Sequence, residues 1–353
     1  MKESFRSVFL CHGISAHISL PFLLLIVALS GVVSAAYAQA SRQDSPASDW
    51  TRVPGADWGR TKPETVGYSS ARLEALRTWL KTEQTTAIVV AVHGNVIFEY
   101  GDLSLISKVA SVRKSVLSML YGNYVVTGKI DTNKTVKDLA LDDIQPFLPI
   151  EEHATLDQLL TARSGIYLPS GNRDLDDQTP KRGTEYPGTH FSYNNWDFNA
   201  AGTAFEKLSG KNIYDALESD LVRPIGMQDF DRARQKKIST KPDSVHPEYA
   251  MYLSTRDMAR LGLLMERLGR WNEKQVIPAD WCRYTTTLIT PFRDINPTSL
   301  RVLGRLDRWG YGVFWWVWTL RSFPATYLMA RSKGPIALWD RGGNSSPCCR
   351  KLT

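Results

Sequence analysis

The chain has 353 residues, 43% hydrophobic and 22% charged, a profile that excludes a disordered, collagenous or disulfide-scaffold protein. Most of the formal charge of +7 comes from the two ends: between Gln39 and Ala330 stand 36 basic and 34 acidic side chains without a basic stripe, which argues against nucleic-acid binding. The length suits one large enzyme domain with an inserted subdomain.

In chain order, Lys2 and Arg6 precede an apolar stretch from Ile18 to Val33 and the small-x-small tripeptide Ala36-Tyr37-Ala38. That order is a secretory signal, so residues 1–38 are expected to be removed by cleavage near Ala38 and the mature chain to be periplasmic or secreted, with no membrane anchor left. Residues 39–56 read as a flexible leader. Apolar spacing at Leu73, Leu76, Trp79 and Leu80 behind Ser69 and Ser70 predicts a capped amphipathic helix from Tyr68 to Lys81. The runs Thr86 to Val92 and Val96 to Tyr100 around His93-Gly94-Asn95 predict a β-hairpin, and a helix is expected over Ser111 to Thr127. From about 131 to 243 loops and short helices dominate, with helices expected at Leu156–Thr161 and at Trp196–Leu208, the latter ending at Gly210. Met258 to Leu268 predicts a further helix, and the aromatic run Gly310 to Trp318 a strand. The expected fold class is α+β: residues 57–330 form the main body, the insertion at about 131–243 is mostly helical, and C-terminal strands close the sheet.

Of the four cysteines, Cys11 lies in the leader, Cys348 and Cys349 in the tail and only Cys282 in the body, so no disulfide framework exists. The six histidines are scattered, and no metal is expected.

The chemistry concentrates in a Ser-x-x-Lys tetrad, Ser111-Val112-Arg113-Lys114, at a predicted helix start. Composition alone supplies about one such tetrad in a chain of this length, so placement carries the argument. Positions i and i+3 share a helix face, which lets the ammonium lie beside the hydroxyl, and the helix N-terminus offers the Ser111 N–H as an oxyanion donor. A serine hydroxyl needs a base. A lysine ordinarily keeps its proton to about pH 10.4, so Lys114 can serve only if desolvation and a second cation weaken that hold by about 4 kcal/mol. A tyrosine presented to the same serine can share the work, and Tyr193-Asn194-Asn195 offers one after the Pro187-Gly188 turn. The rival Tyr121-Gly122-Asn123 continues the Ser111 helix and is expected to be packed in the core.

Taken together, Ser111-x-x-Lys114 after a hairpin, then Leu159-Leu160-Thr161-Ala162-Arg163-Ser164-Gly165, then Pro187-Gly188-Thr189 leading to Tyr193-x-Asn195, resemble the serine hydrolases related to class C β-lactamases, penicillin-binding proteins and 6-aminohexanoate-dimer hydrolases. The resemblance runs from about Asp57 to Trp318. It implies a β-lactamase/transpeptidase-like fold, an antiparallel sheet flanked by helices beside a mostly helical subdomain carrying Tyr193. It implies Ser111 as the acylated nucleophile, Lys114 as base or proton relay, Tyr193 as second base and leaving-group acid, and Asn195 as a residue that binds a substrate amide. Aromatic density at Trp196, Trp309, Trp315 and Trp316 mildly favours an apolar acyl pocket, with Trp196 as a substrate-binding residue, although core packing is the expected role of most of them. No cofactor is implied. The substrate class is a small ester or amide, with β-lactamase, D-alanyl peptidase, an impaired penicillin- or peptide-binding protein and an inactive product left open.

One departure stands out. The family's third motif, a Lys/His-Ser/Thr-Gly or Gly-rich strand edge, is missing, and Gly342-Gly343-Asn344 is the only candidate. Back-translation from Ser332 with a permitted choice of codons, read one nucleotide earlier, gives FKGAYSAMGPGGQFITVLPKA, which looks like that missing segment. Residues 331–353 are therefore expected to be a frameshifted tail, with the closing strands lost or scrambled.

Overall fold

The computed structural model describes residues 53–83, 85–172, 179–239, 242–302, 309–318, 328–329 and 336–339, all inside a unit spanning Trp50–Thr353. The leader, Cys11, Gly342-Gly343-Asn344 and Cys348-Cys349 lie outside the described residues. Cys282 is buried and unbridged.

The predicted hairpin is the spine of the main sheet. Strand β2 (Ala87–Val92) turns at His93 and Gly94, both with positive φ, into β3 (Asn95–Gly101), a two-residue connection whose twist matches the strands. A short strand β1 (Gly59–Arg60) runs parallel to the start of β3. Gly59 lies close to the Asn95 side chain, whose Oδ1 would stand 2.5 Å from a Cβ and would have to turn aside for one. At the other edge β6 (Leu328–Met329) and β7 (Ile336–Trp339) pair with each other, and the sheet order is β1-β3-β2-β7-β6. Of the closing strands expected to be lost or scrambled, these two reach the sheet. β7 lies parallel to β2, where the resemblance implies an antiparallel neighbour, so the sheet is mixed.

Helix α1 (Ser70–Leu80) starts where Ser69 accepts the Arg72 N–H and covers one face of the sheet, packing Leu73 and Leu80 on Ile88, Val90, Ile97 and Phe98. On the opposite face Val89 and Val96 join the main core with helices α2 (Val112–Val126), α3 (Leu156–Leu160) and α4 (Asn195–Ser209). Alternation in β2 thus feeds two cores from one strand. Helix α5 (Thr255–Glu266), capped by Ser254, runs against β2 and β7. Tyr121 is fully buried, as expected, and donates to the Ala201 carbonyl at 2.6 Å.

The aromatic run near the end is a hairpin rather than one strand: β4 (Trp309–Tyr311) and β5 (Trp316–Trp318) pair antiparallel. The chain reverses because Phe314 takes φ 64° to bury its ring edge-on against Phe198. Gly312 permits the approach, since a Cβ would lie 2.5 Å from the Thr285 carbonyl.

Candidate active site

Ser111 sits at the N-cap of α2, exposed, while Lys114 one turn later is buried. Ala110 before it holds φ 44°, a left-handed conformation that costs an alanine about 1–3 kcal/mol and turns the chain sharply into the helix. Val109 fixes the approach by donating to the Met251 carbonyl. Among the described residues no acceptor takes the Ser111 N–H, which leaves it available at the helix terminus.

Tyr193 reaches the same point from the other side. Arg163 clamps the loop before it: Nε donates to Gly188 O at 3.0 Å and Nη1 to Thr290 Oγ1 at 2.9 Å, while the Gly188 N–H, at φ 85°, returns a bond to Arg163 O. The Ser192 and Tyr193 N–H groups donate to Ala162 O and Asn296 O, and Asn194 caps α4 by accepting from the Asp197 N–H at 2.9 Å. The tyrosine is therefore held two residues before a helix, in a backbone tied at both ends.

The result is a three-membered chain. Lys114 Nζ donates to Ser111 Oγ at 2.9 Å and to Tyr193 Oη at 2.9 Å. The ammonium also lies 4.7 Å from the Tyr193 ring centroid and 4.5 Å from that of Phe198. Tyr193 is walled by aromatics: Phe198 at 4.6 Å, Tyr311 edge-on at 5.9 Å and Trp316 stacked at 5.6 Å. Burial pushes its phenol up, opposed by the hydrogen bond with Ser111 and by the Arg113 charge. An accessible hydroxyl beside an amine that is itself bonded to a buried phenol is the geometry acyl transfer requires of nucleophile and base.

The two remaining candidates fare differently. Asn195 is buried beside the site, its Nδ2 donating to Asn172 O at 3.1 Å. Trp196, expected at an acyl pocket, is 0% exposed: its indole N–H donates to Asp143 Oδ2 at 2.5 Å and its rings meet Phe147 and His246 edge-on. That expectation is corrected, because an α4 side chain one position past Asn195 points into the core. Trp316 is the half-buried aromatic beside Tyr193.

Sequence reasoning passed over Arg113, which is 1% exposed, and its partners Asn199 and Glu248. The helical period carried the signal: Arg113 extends the stripe Val116, Leu117, Leu120 and Tyr121 by one turn. It also passed over Asp197, fully buried, whose Oδ1 accepts from Ser164 Oγ at 2.6 Å and whose Oδ2 has no partner among the described residues. Burial pushes that carboxyl up to about 8. Among the described residues no cluster of three or more His, Cys, Asp or Glu could hold a metal, and no helix is long and apolar enough to cross a membrane.

The β-lactamase family model matches residues 76–338. Among solved structures, a protein described as a 6-aminohexanoate-dimer hydrolase from Bacillus anthracis superposes with a TM-score of 0.56 at 19% identity, over 82% of this chain and 79% of that one. One described as a β-lactamase from Bacteroides dorei gives a TM-score of 0.53 at 20% identity, over 70% and 79%. A penicillin-binding protein from Bacillus halodurans gives 0.51 at 16%, over 76% and 89%. At such identities the likeness is one of fold.

Proposed function

Because the chain belongs to the β-lactamase family, we propose that it is a serine hydrolase working through a seryl acyl-enzyme on a small ester or amide. The observation that carries this reading is the Ser111–Lys114–Tyr193 chain, two contacts of 2.9 Å centred on one ammonium. The Ser111 oxygen attacks the substrate carbonyl as its proton passes to the Lys114–Tyr193 pair, and the Ser111 N–H faces the developing oxyanion. Tyr193 returns the proton to the departing alcohol or amine, and water then hydrolyses the seryl ester with the same groups acting in reverse. Asn195, next to this chain, is assigned to the substrate amide. Trp316 offers an aromatic surface beside Tyr193 for an apolar acyl group. The leader pattern from Lys2 to Ala38 supports a periplasmic or secreted location.

A chromogenic ester such as p-nitrophenyl acetate tests the reading. Wild type is expected to gain the acetyl mass and to release chromophore faster than Ser111→Ala, which is expected to lose both. Undiminished turnover by Ser111→Ala would overturn it.

A further inference from the structure

A polar ladder runs from the helix that carries the nucleophile to the residue assigned to the substrate amide. Arg113, next to Lys114 on α2, is 1% exposed, and its Nη2 donates to Asn199 Oδ1 at 2.9 Å. Asn199, also 1% exposed, donates from Nδ2 to Asn172 Oδ1 at 2.9 Å. The Asn172 carbonyl then accepts from Asn195 Nδ2 at 3.1 Å. Asn195 and Asn199 stand one helical turn apart on α4 and share its face. Both meet the reacting groups. The Phe198 ring, beside Asn199, lies 4.5 Å from Lys114 Nζ. Asn194, extended at φ −125° and ψ 145°, sends the Tyr193 and Asn195 side chains to one side of the chain.

The chemistry of the rungs fixes which way each amide faces. A guanidinium can only donate, so Asn199 turns Oδ1 to Arg113 and has Nδ2 left for Asn172. A backbone carbonyl can only accept, so Asn195 turns Nδ2 to Asn172. Oδ1 is then the polar atom of the Asn195 side chain that has no hydrogen-bond partner among the described residues, on a residue only 5% exposed. An acceptor so nearly buried is costly to leave unmade, and an N–H brought by a ligand would complete it.

We propose that Asn199 is a positioning residue for this site: it ties Asn172 to α2, the Asn172 carbonyl holds Asn195 with Oδ1 towards the substrate, and the acyl group that fits carries an N–H, as a secondary amide does. The inference rests on the acyl-transfer reading and on the place of Asn195 in it, and adds the sense of the contact, with the substrate donating and the protein accepting. Asn199 acts through Asn172 and Asn195 and does not itself touch the substrate. Arg113 anchors the ladder, its Nε 3.6 Å from Glu248 Oε1 and its guanidinium 4.2 Å over the Tyr249 ring.

Two chromogenic esters read the sense of that contact. The p-nitrophenyl ester of N-acetylglycine carries the N–H; p-nitrophenyl levulinate puts a methylene in its place and keeps both carbonyls. Comparing each variant with wild type on the same ester cancels the reactivity of the esters themselves, and thermal melts confirm that each variant is folded. Asn199→Leu, which keeps the volume and deletes both rungs, is expected to lower kcat/KM about tenfold for the N-acetylglycine ester, the worth of one hydrogen bond, and less than about twofold for the levulinate. Asn195→Ala is expected to show the same split. Asn199→Asp is expected to stay close to wild type on both, because its carboxylate still accepts from Arg113 and the Asn172 amide can turn over to donate to it. A purely structural role would lower both esters alike. A folded Asn199→Leu or Asn195→Ala that lowers both equally, or neither, overturns the proposal, as does Asn199→Asp falling as far as Asn199→Leu. If Asn199→Leu does not fold, Asn172→Ala, which removes the rung from the loop side, is expected to give the split, and its absence there overturns the proposal. A wild-type protein that turns over neither ester removes the acyl-transfer reading, and this inference with it.

Discussion

Asp197 shows how a single side chain couples the site to pH. It is wholly buried on α4, receives Ser164 Oγ–H and leaves its second oxygen without a partner among the described residues, so burial holds its carboxyl near 8 against an ordinary 3.8. The folded state keeps the proton while the unfolded chain releases it above about pH 4. Stability therefore falls as pH rises from about 4 to 8 and levels off beyond, on the order of 5 kcal/mol across the window. Asp197→Asn keeps the shape and the acceptor for Ser164 but cannot ionise in either state. Its melting temperature, relative to wild type, is expected to climb through that pH range and then stay flat; a constant difference would mean that Asp197 is ionised in the fold. Ser111, Lys114 and Tyr193 were legible because two of them are fixed by one helical turn and the third by a Pro-Gly turn ahead of a helix. Asp197 and Arg113 were not, since their partners lie 33 and 86 residues away and no local pattern encodes such contacts.

Among the elements, α2 and α4 decide whether the chain of three can form, and a glycine controls how closely α4 approaches its neighbour. Gly202 lies mid-helix, where alanine is ordinarily favoured by about 1 kcal/mol. A Cβ there would stand 2.5 Å from Cδ1 of the buried Tyr249, the ring that carries Arg113 on its face. Gly202→Ala is accordingly expected to lose about 1–3 kcal/mol through overpacking, read as a lower urea midpoint with an unchanged m-value. A midpoint at or above that of wild type would show that Tyr249 moves freely. Helix existence was readable from periodicity and caps, and the observed bounds Ser70–Leu80, Val112–Val126 and Asn195–Ser209 stay within a residue or two of the expected ones. The Gly310 to Trp318 run was misread as one strand because β-rich composition does not reveal that a phenylalanine will enter the left-handed region to reach the core. Trp196 was misplaced for a related reason: an aromatic beside a catalytic motif looks the same in sequence whether it faces a cleft or the core.

For the molecule as a whole, the open question is the strand beside β2. Antiparallel neighbours in a sheet follow from tight connections, whereas a parallel neighbour requires a crossover. β7 lies parallel to β2 with Ile336 opposite Ile88, while the family resemblance implies an antiparallel strand carrying a glycine-rich edge that supplies the second oxyanion donor. The one-nucleotide shift read from Ser332 onward supplies such a segment, with Gly-Gly-Gln in place of the Arg341-Gly342-Gly343-Asn344 run. Sequencing the gene from the Gly310 codon through the stop decides whether that ending exists. Two mature chains, one with each ending, then test its consequence. The restored chain is expected to melt higher, by about 2–4 °C for each kcal/mol regained at this size, and to give a full acyl burst. The Cys348-Cys349 chain is expected to give a weaker burst, because one oxyanion donor alone forgoes about 3 kcal/mol of transition-state stabilisation. A full burst from the Cys348-Cys349 chain would show that the Ser111 N–H, with groups already in the described fold, completes the site without a third motif.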